Sequence, residues 1–238
     1  MPIRNSLRVL ISLTVPILIA GCVNAPPYDY TALENSRPRS ILVLPPVNNS
    51  IEVNAPYIFL AGISRPLAEK GYYVFPVAVI DTFLKENGLP TPFEMNAIPL
   101  DKIEEFIGAD AVLYVSIEDW GQKYQLVSST TRVHAELRLV DVRTGLLLWD
   151  AKVIAVETSD DAGMGILGAL VNAIATQIAH SVSDNTYRVS SAASYLAVHN
   201  KSNGLLHGPY FNPEGVQHWN LTKSSEPKAS DTSKGSGL

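Results

Sequence analysis

In the stretch Thr131-Arg132-Val133-His134-Ala135-Glu136-Leu137-Arg138-Leu139, Val133, Ala135, Leu137 and Leu139 alternate with Arg132, His134, Glu136 and Arg138. A period of two is that of a β-strand with one dry and one wet face. Asp141-Val142-Arg143-Thr144-Gly145 follows, which is turn chemistry. Leu147, Trp149, Ala151 and Val153 then alternate with Asp150 and Lys152 on the way back. The pattern predicts an antiparallel hairpin, its outward charges placed to pair across the strands.

Upstream the pattern is different. Ser40-Ile41-Leu42-Val43-Leu44-Pro45-Pro46 is continuously apolar and stopped by two prolines, as a central strand buried on both faces would be. Asn54 and Pro56 open a helix that runs to about Lys70, with Tyr57, Leu60, Ala61, Ser64 and Leu67 on one stripe and Gly71 as its stop. Residues 72–79 are aromatic and β-branched, a second strand. Residues 80–87 make a short helix closed by Gly88, followed by a Pro90-Thr91-Pro92 loop. Residues 100–107 read as a third helix, Ile103, Phe106 and Ile107 inward, and residues 109–117 as a third strand. The expected fold is therefore α/β: a single domain whose βαβα-type half and antiparallel hairpin share one mixed sheet, with helices toward the C-terminus.

Two helices are expected downstream. Residues 164–182 carry no acid or base except His180, yet Asn172, Thr176 and His180 recur every four residues, opposite Leu167, Leu170, Val171, Ile174 and Ile178. That is an amphipathic helix, and its apolar stripe is the candidate interface with a partner or a second copy of the chain. Residues 186–198 make a further helix. Beyond Leu221 the chain is Lys, Ser, Pro, Asp and Gly, which cannot bury a core. The domain is expected over 40–212 and a disordered tail over 213–238.

The N-terminus carries the most specific signal. Arg4 and Arg8 precede an uncharged run, residues 9–20, that ends in Ile19-Ala20-Gly21-Cys22 and contains the chain's only cysteine. A basic start, an apolar middle and small residues before a cut describe a secretory leader. Twelve residues reach only about 18 Å as a helix, against a bilayer core of about 30 Å. The small residues running straight into cysteine resemble a bacterial lipobox. That resemblance implies cleavage after Gly21 and acylation of Cys22, with 1–21 as signal peptide and two or three acyl chains as a lasting anchor. Residues 22–39, proline-rich and without apolar period, are then expected to be an acylated tether. Val23 is not the aspartate that retains lipoproteins at the inner membrane, so the outer membrane is the expected location. Loss of Arg4 and Arg8 takes the basic count from 18 to 16 against 23 acidic residues, a poor balance for nucleic acid. With Cys22 acylated, no thiol is left for a disulfide or a thiolate metal site.

Several phrases together carry a family resemblance: residues 40–47, Gly71-Tyr-Tyr-Val-Phe-Pro-Val77, Gly108-Ala-Asp-Ala-Val-Leu113, Leu139-Val-Asp-Val-Arg-Thr-Gly145 with Trp149, and Leu205-Leu-His-Gly-Pro209. In this order they resemble the bacterial lipoprotein family typified by the neisserial genome-derived surface antigen, from the lipobox to about Tyr210. More distantly, Gly108 to Leu113 and the hairpin are similar to the curli-secretion lipoprotein CsgG, to the amino-terminal domain of TolB and to the lipoprotein activators of peptidoglycan synthases. These resemblances imply a shared α/β domain and non-catalytic, envelope-bound assembly work, with other envelope lipoproteins, CsgG-like ones among them, as partners. They hand over no catalytic residue. The CsgG pore is built from long amphipathic hairpins, whereas residues 125–131 here offer only short Ser/Thr-rich sequence.

Other chemistry is thinly signalled. Gly163-Met-Gly165-Ile-Leu-Gly168 satisfies a dinucleotide-binding pattern but follows an antiparallel return strand and lacks the acidic residue on a second strand tip. The histidines at 134, 180, 199, 207 and 218 show no ligand spacing, so no metal and no cofactor is expected. His207 reads as a turn histidine bonded to a nearby carbonyl. Glu104-Glu105 and Glu118-Asp119 are neighbours that point apart, not acid–base dyads. The leading expectation is a non-enzymatic, outer-membrane-anchored lipoprotein acting as scaffold or accessory in assembly or secretion. The alternatives are a subunit of a homo-oligomeric envelope channel, and a periplasmic ligand binder or enzyme with a pocket near His207 and Asp81.

Overall fold

The computed structural model describes residues 26–124, 129–158 and 185–213. The elements run α1 (Thr31–Ser36), β1 (Ser40–Val43), β2 (Val47–Asn48), α2 (Ala55–Glu69), β3 (Tyr73–Val74), α3 (Val77–Glu86), α4 (Pro92–Asn96), α5 (Leu100–Phe106), β4 (Ala111–Tyr124), β5 (Ser129–Asp141), β6 (Leu147–Thr158) and α6 (Asn185–Val198). One mixed sheet takes the strands in the order β3-β1-β4-β5-β6, with β2 also beside β4. β3, β1, β2 and β4 are parallel; β4, β5 and β6 are antiparallel. The α/β half and the hairpin thus share one mixed sheet, as expected, and meet on β4.

Hairpin residues sort by face as expected. Val133, Ala135, Leu137, Leu139 and Val153 are fully buried, and Ala151 and Trp149 are 4% and 0% exposed. Leu147 is the exception. A register shift pairs Leu139 with Trp149 but Val140 with Leu147, so Leu148 is the extra residue and turns inward while Leu147 stays out. On the wet face Glu136 lies opposite Lys152 and pairs with it at 2.8 Å.

The two sheet faces are covered unequally. α2, α6 and Leu33 cover one, burying Phe59, Ile63, Leu67, Val189 and Val198 against all the long strands. α3, α4 and α5 cover the other only at β1 and the start of β4, where Leu42, Leu44 and Val112 meet Ile80, Leu84, Met95 and Ile103. Where β1 lies between both layers, Ile41, Leu42, Val43 and Leu44 are at most 1% exposed. α2 and α6 approach closely: a methyl group on Gly62 would come within 3.4 Å of the Ser191 backbone.

Several expected boundaries are corrected. The second strand is only Tyr73–Val74, because α3 begins at Val77 rather than at residue 80. The 90–92 loop opens a helix, α4, whose Thr91 and Glu94 form a reciprocal capping box. On α2 the expected Leu60 and Leu67 are buried together with Ala55, Phe59, Gly62, Ile63 and Pro66, whereas Tyr57 is 55% exposed and Ala61 also faces out. On α5 Ile103 is buried, but Phe106, expected inward, is 65% exposed. β4 continues to Tyr124, past the expected end at residue 117.

Candidate functional site

Gly21, Cys22, the stripe Leu167, Leu170, Val171, Ile174 and Ile178, the glycine pattern at 163–168 and the tail from 214 lie outside the described residues. What the structure does place begins a few residues after Cys22, and it shortens the expected tether. The Tyr28 hydroxyl donates to Asp150 Oδ1 at 2.7 Å and accepts from the Asp150 backbone N–H at 2.9 Å, occupying a backbone donor on β6. Tyr30 donates to the Gly204 carbonyl at 2.6 Å. Leu33 on α1 is 3% exposed within the larger core. From Tyr28 onward this is domain, held by two aromatic hydroxyls and one apolar side chain.

α1 ends at the β5–β6 turn. Asp141, 1% exposed, accepts hydrogen bonds from the Ser36 hydroxyl, from the Arg143 N–H at 3.0 Å and from the Thr144 N–H and hydroxyl at 2.8 and 3.0 Å. Burial pushes its carboxyl up, and these donors outweigh that and hold it below the usual carboxylate range. Asp110 plays a similar part for β1, accepting from the Arg39 and Ser40 N–H groups at 2.9 and 3.1 Å. Both carboxylates are thus engaged in fastening the chain.

The segment after α6 crosses this end of the sheet. Trp149 Nε1 donates to the Asn203 carbonyl at 2.7 Å, Tyr72 to the Leu206 carbonyl at 3.0 Å, and the Gly208 N–H to the Lys70 carbonyl at 2.8 Å. Gly71, at φ 85°, has no room for a side chain, since a Cβ would lie 2.2 Å from Phe211 N. His207 packs its ring on Phe211 with centroids 3.6 Å apart. Burial and then the charge of Lys70 lower its pKa, against a hydrogen bond to the Lys70 backbone. That is the turn histidine the sequence predicts.

Among the described residues, two depressions bear on function. The first, about 580 Å³, lies between α1 and this crossing segment, with Glu34, Arg37, Tyr72 and His207 on its walls. Asp81, expected beside His207, is not there: it sits on α3, 2.7 Å from Lys85. The expected His207–Asp81 pocket is corrected accordingly, because α3 and the crossing segment pack on opposite faces of the sheet. The second depression, about 510 Å³, is apolar and lies between α3, α4 and α5, lined by Phe83, Leu84, Leu89, Ile98, Ile103 and Phe106. Lys102 stands at its edge with its ammonium 5.6 Å from the Phe106 ring. Among the described residues no three His, Cys, Asp or Glu side chains converge as metal ligands would.

Comparisons with known proteins fit this geometry. The family model described as "Putative lipoprotein GNA1162-like" matches residues 28–210. It begins at the tyrosine that bonds β6 and ends at Tyr210, whose N–H bonds the Gly71 carbonyl at 3.0 Å. The "Putative lipoprotein NMB1124/NMB1162" of Neisseria meningitidis serogroup B is 42% identical over 205 residues, covering 85% of this chain and 95% of that one. The crystal structure of lipoprotein GNA1162 from Neisseria meningitidis aligns with TM-score 0.50 at 42% identity, over 52% of this chain and 87% of that chain. The LpoB C-terminal domain from Salmonella enterica aligns with TM-score 0.33 at 19% identity, over 59% and 90%. With the family model spanning the whole folded domain, the chain belongs to the GNA1162-like lipoprotein family.

Proposed function

We propose that this protein is an outer-membrane lipoprotein, acylated at Cys22 after cleavage behind Gly21, whose domain is a non-catalytic docking module for other envelope proteins. The observation that carries this reading is the open apolar groove between α3, α4 and α5. Phe83 and Phe106 stand 38% and 65% exposed on its walls, and its lining is aromatic and aliphatic. Such a surface, mostly apolar with Asn87, Glu94 and Lys102 as its polar lining, gains from covering by a partner's apolar side chains. The occupant in this reading is the apolar face of a second envelope protein, met by Lys102 at the rim. The stripe Leu167, Leu170, Val171, Ile174 and Ile178 is a second contact in the same reading. The role is scaffold or accessory in assembly or secretion, and the likeness of Gly108 to Leu113 and of the hairpin to CsgG makes a CsgG-like system the first partner to test.

Cross-linking and mass spectrometry in intact envelopes tests this. Phe106→Glu leaves the fold intact, because the side chain is mostly exposed, and removes the cross-links that map to α3 and α5. Cross-links unchanged in Phe106→Glu would mean that the groove is not the docking surface.

A further inference from the structure

We propose that the segment received by the groove between α3, α4 and α5 is a basic amphipathic helix of the partner; this rests on that groove being the docking surface. The charge of the domain is uneven. Residues 77–107, the three helices and their connections, hold six acids (Asp81, Glu86, Glu94, Asp101, Glu104 and Glu105) against two bases, Lys85 and Lys102, a net charge of −4. The whole chain after Gly21 has 16 bases and 23 acids, so more than half of its −7 sits on this one face. Both bases are already matched, Lys85 to Asp81 and Lys102 to Glu105, each at 2.7 Å. Glu86, Glu94, Asp101 and Glu104 are exposed and make no ion pair among the described residues. Glu94 lines the groove itself, its carboxylate held by the Thr91 N–H and hydroxyl at 3.0 and 2.7 Å. The others stand on the flanks of α3 and α5. A helix is about 10 Å across, so they act on the groove from about one Debye length at physiological salt. Neighbouring cations do not cancel them. The β5–β6 turn comes up to α5, where a Cβ on Gly145 would lie 3.7 Å from Leu100, and counting Arg143 there still leaves six acids against three bases.

The lining points the same way. The groove's walls are helices, not a sheet edge, so it offers no ladder of backbone donors, and an incoming chain has to satisfy its own backbone, as a helix does. Phe83, Leu84, Ile103 and Phe106 receive the apolar stripe of such a helix. The aromatic wall already takes a cation, since the Lys102 ammonium lies over the Phe106 ring, and the exposed faces of Phe83 and Phe106 suit a partner's lysines and arginines equally well. This chain does not supply the occupant from its own sequence. Residues 164–182 have an apolar stripe but no lysine or arginine, and the bases beyond Leu221 accompany no apolar stripe.

The test takes the full chain in phosphatidylcholine nanodiscs, with empty nanodiscs as the blank. Two fluorescent helical peptides are titrated, alike in their leucine stripe and different only in its flanks, lysine in one and glutamate in the other. The lysine peptide binds more tightly by about tenfold or more, and high salt narrows the gap. Replacing Glu86 and Glu104 by glutamine and Asp101 by asparagine, all exposed and so harmless to the fold, lowers its affinity about tenfold. Phe106→Ala lowers it about fivefold or more. Equal affinities, or tighter binding of the glutamate peptide, with both sensitive to Phe106→Ala, overturn the inference and leave the groove reading standing. Self-association of the chain that Phe106→Ala abolishes puts a second copy in the groove and overturns it likewise. Binding indifferent to Phe106→Ala, or no binding of either peptide, shows instead that the groove is not a docking surface, and the inference falls with it.

Discussion

The two faces of the sheet show how the same strands serve different ends. Against α2 and α6 the sheet buries a continuous apolar surface from Ile41 to Ala155, sealed at one end by Leu33, Tyr72 and Leu205. Against α3, α4 and α5 it buries a smaller patch on β1 and the start of β4, and beyond this patch β5 and β6 turn Glu136, Arg138 and Lys152 to water. The well-covered face supplies stability. The poorly covered one leaves Phe83 and Phe106 partly exposed beside a groove, where a partner can add what the chain itself does not bury.

The largest blow to this asymmetry is Trp149→Ala. Trp149 is fully buried in the larger core and donates to the Asn203 carbonyl, so its removal costs about 3–5 kcal/mol, read as a lower denaturation midpoint. Met95→Ala on the smaller face costs less, about 2 kcal/mol, since short helices there can settle into the gap; a loss equal to that of Trp149→Ala would abolish the distinction. Asp141→Asn removes charge-assisted bonds at the β5–β6 turn and costs on the order of 1 kcal/mol at neutral pH. Its folded carboxyl is depressed, so the stabilisation is complete above the unfolded value of about 3.9 and is lost as pH falls through the folded value. Acid titration of Asp141→Asn should therefore be flatter than wild type below about pH 4. The smallest effect belongs to the wet face: Lys152→Ala breaks an exposed pair with Glu136 and changes stability by no more than about 0.5 kcal/mol.

How much of this was legible in the sequence follows from which forces are local. The hairpin was readable because strict alternation from Val133 to Leu139 has one physical reading, and the same holds for α5 at Ile103. The expected stripe on α2 holds at Leu60 and Leu67 and fails at Tyr57 and Ala61: Ala55 to Glu69 is apolar nearly all round, so Tyr57 and Ala61 look as periodic as the buried Phe59, Gly62, Ile63 and Pro66. Only the strands beneath decide between them. Phe106 is expected inward because a phenylalanine on a helix normally is; it stands instead on the wall of the groove with Phe83, 65% exposed. The fastening of Tyr28 to Asp150, 122 residues away, and of Tyr30 to Gly204 has no local signature at all. The lipobox at Cys22 and the stripe from Leu167 to Ile178 are local sequence signals that lie outside the described residues.

In the proposed reading a domain with one sealed face and one open face is held to a membrane through Cys22. Phase partitioning of the full-length protein in Triton X-114, wild type beside Cys22→Ser, tests it most directly. Wild type should enter the detergent phase at the mass of a cleaved, acylated chain, and Cys22→Ser should be neither cleaved behind Gly21 nor acylated. Identical processing and partitioning of the two proteins would contradict it.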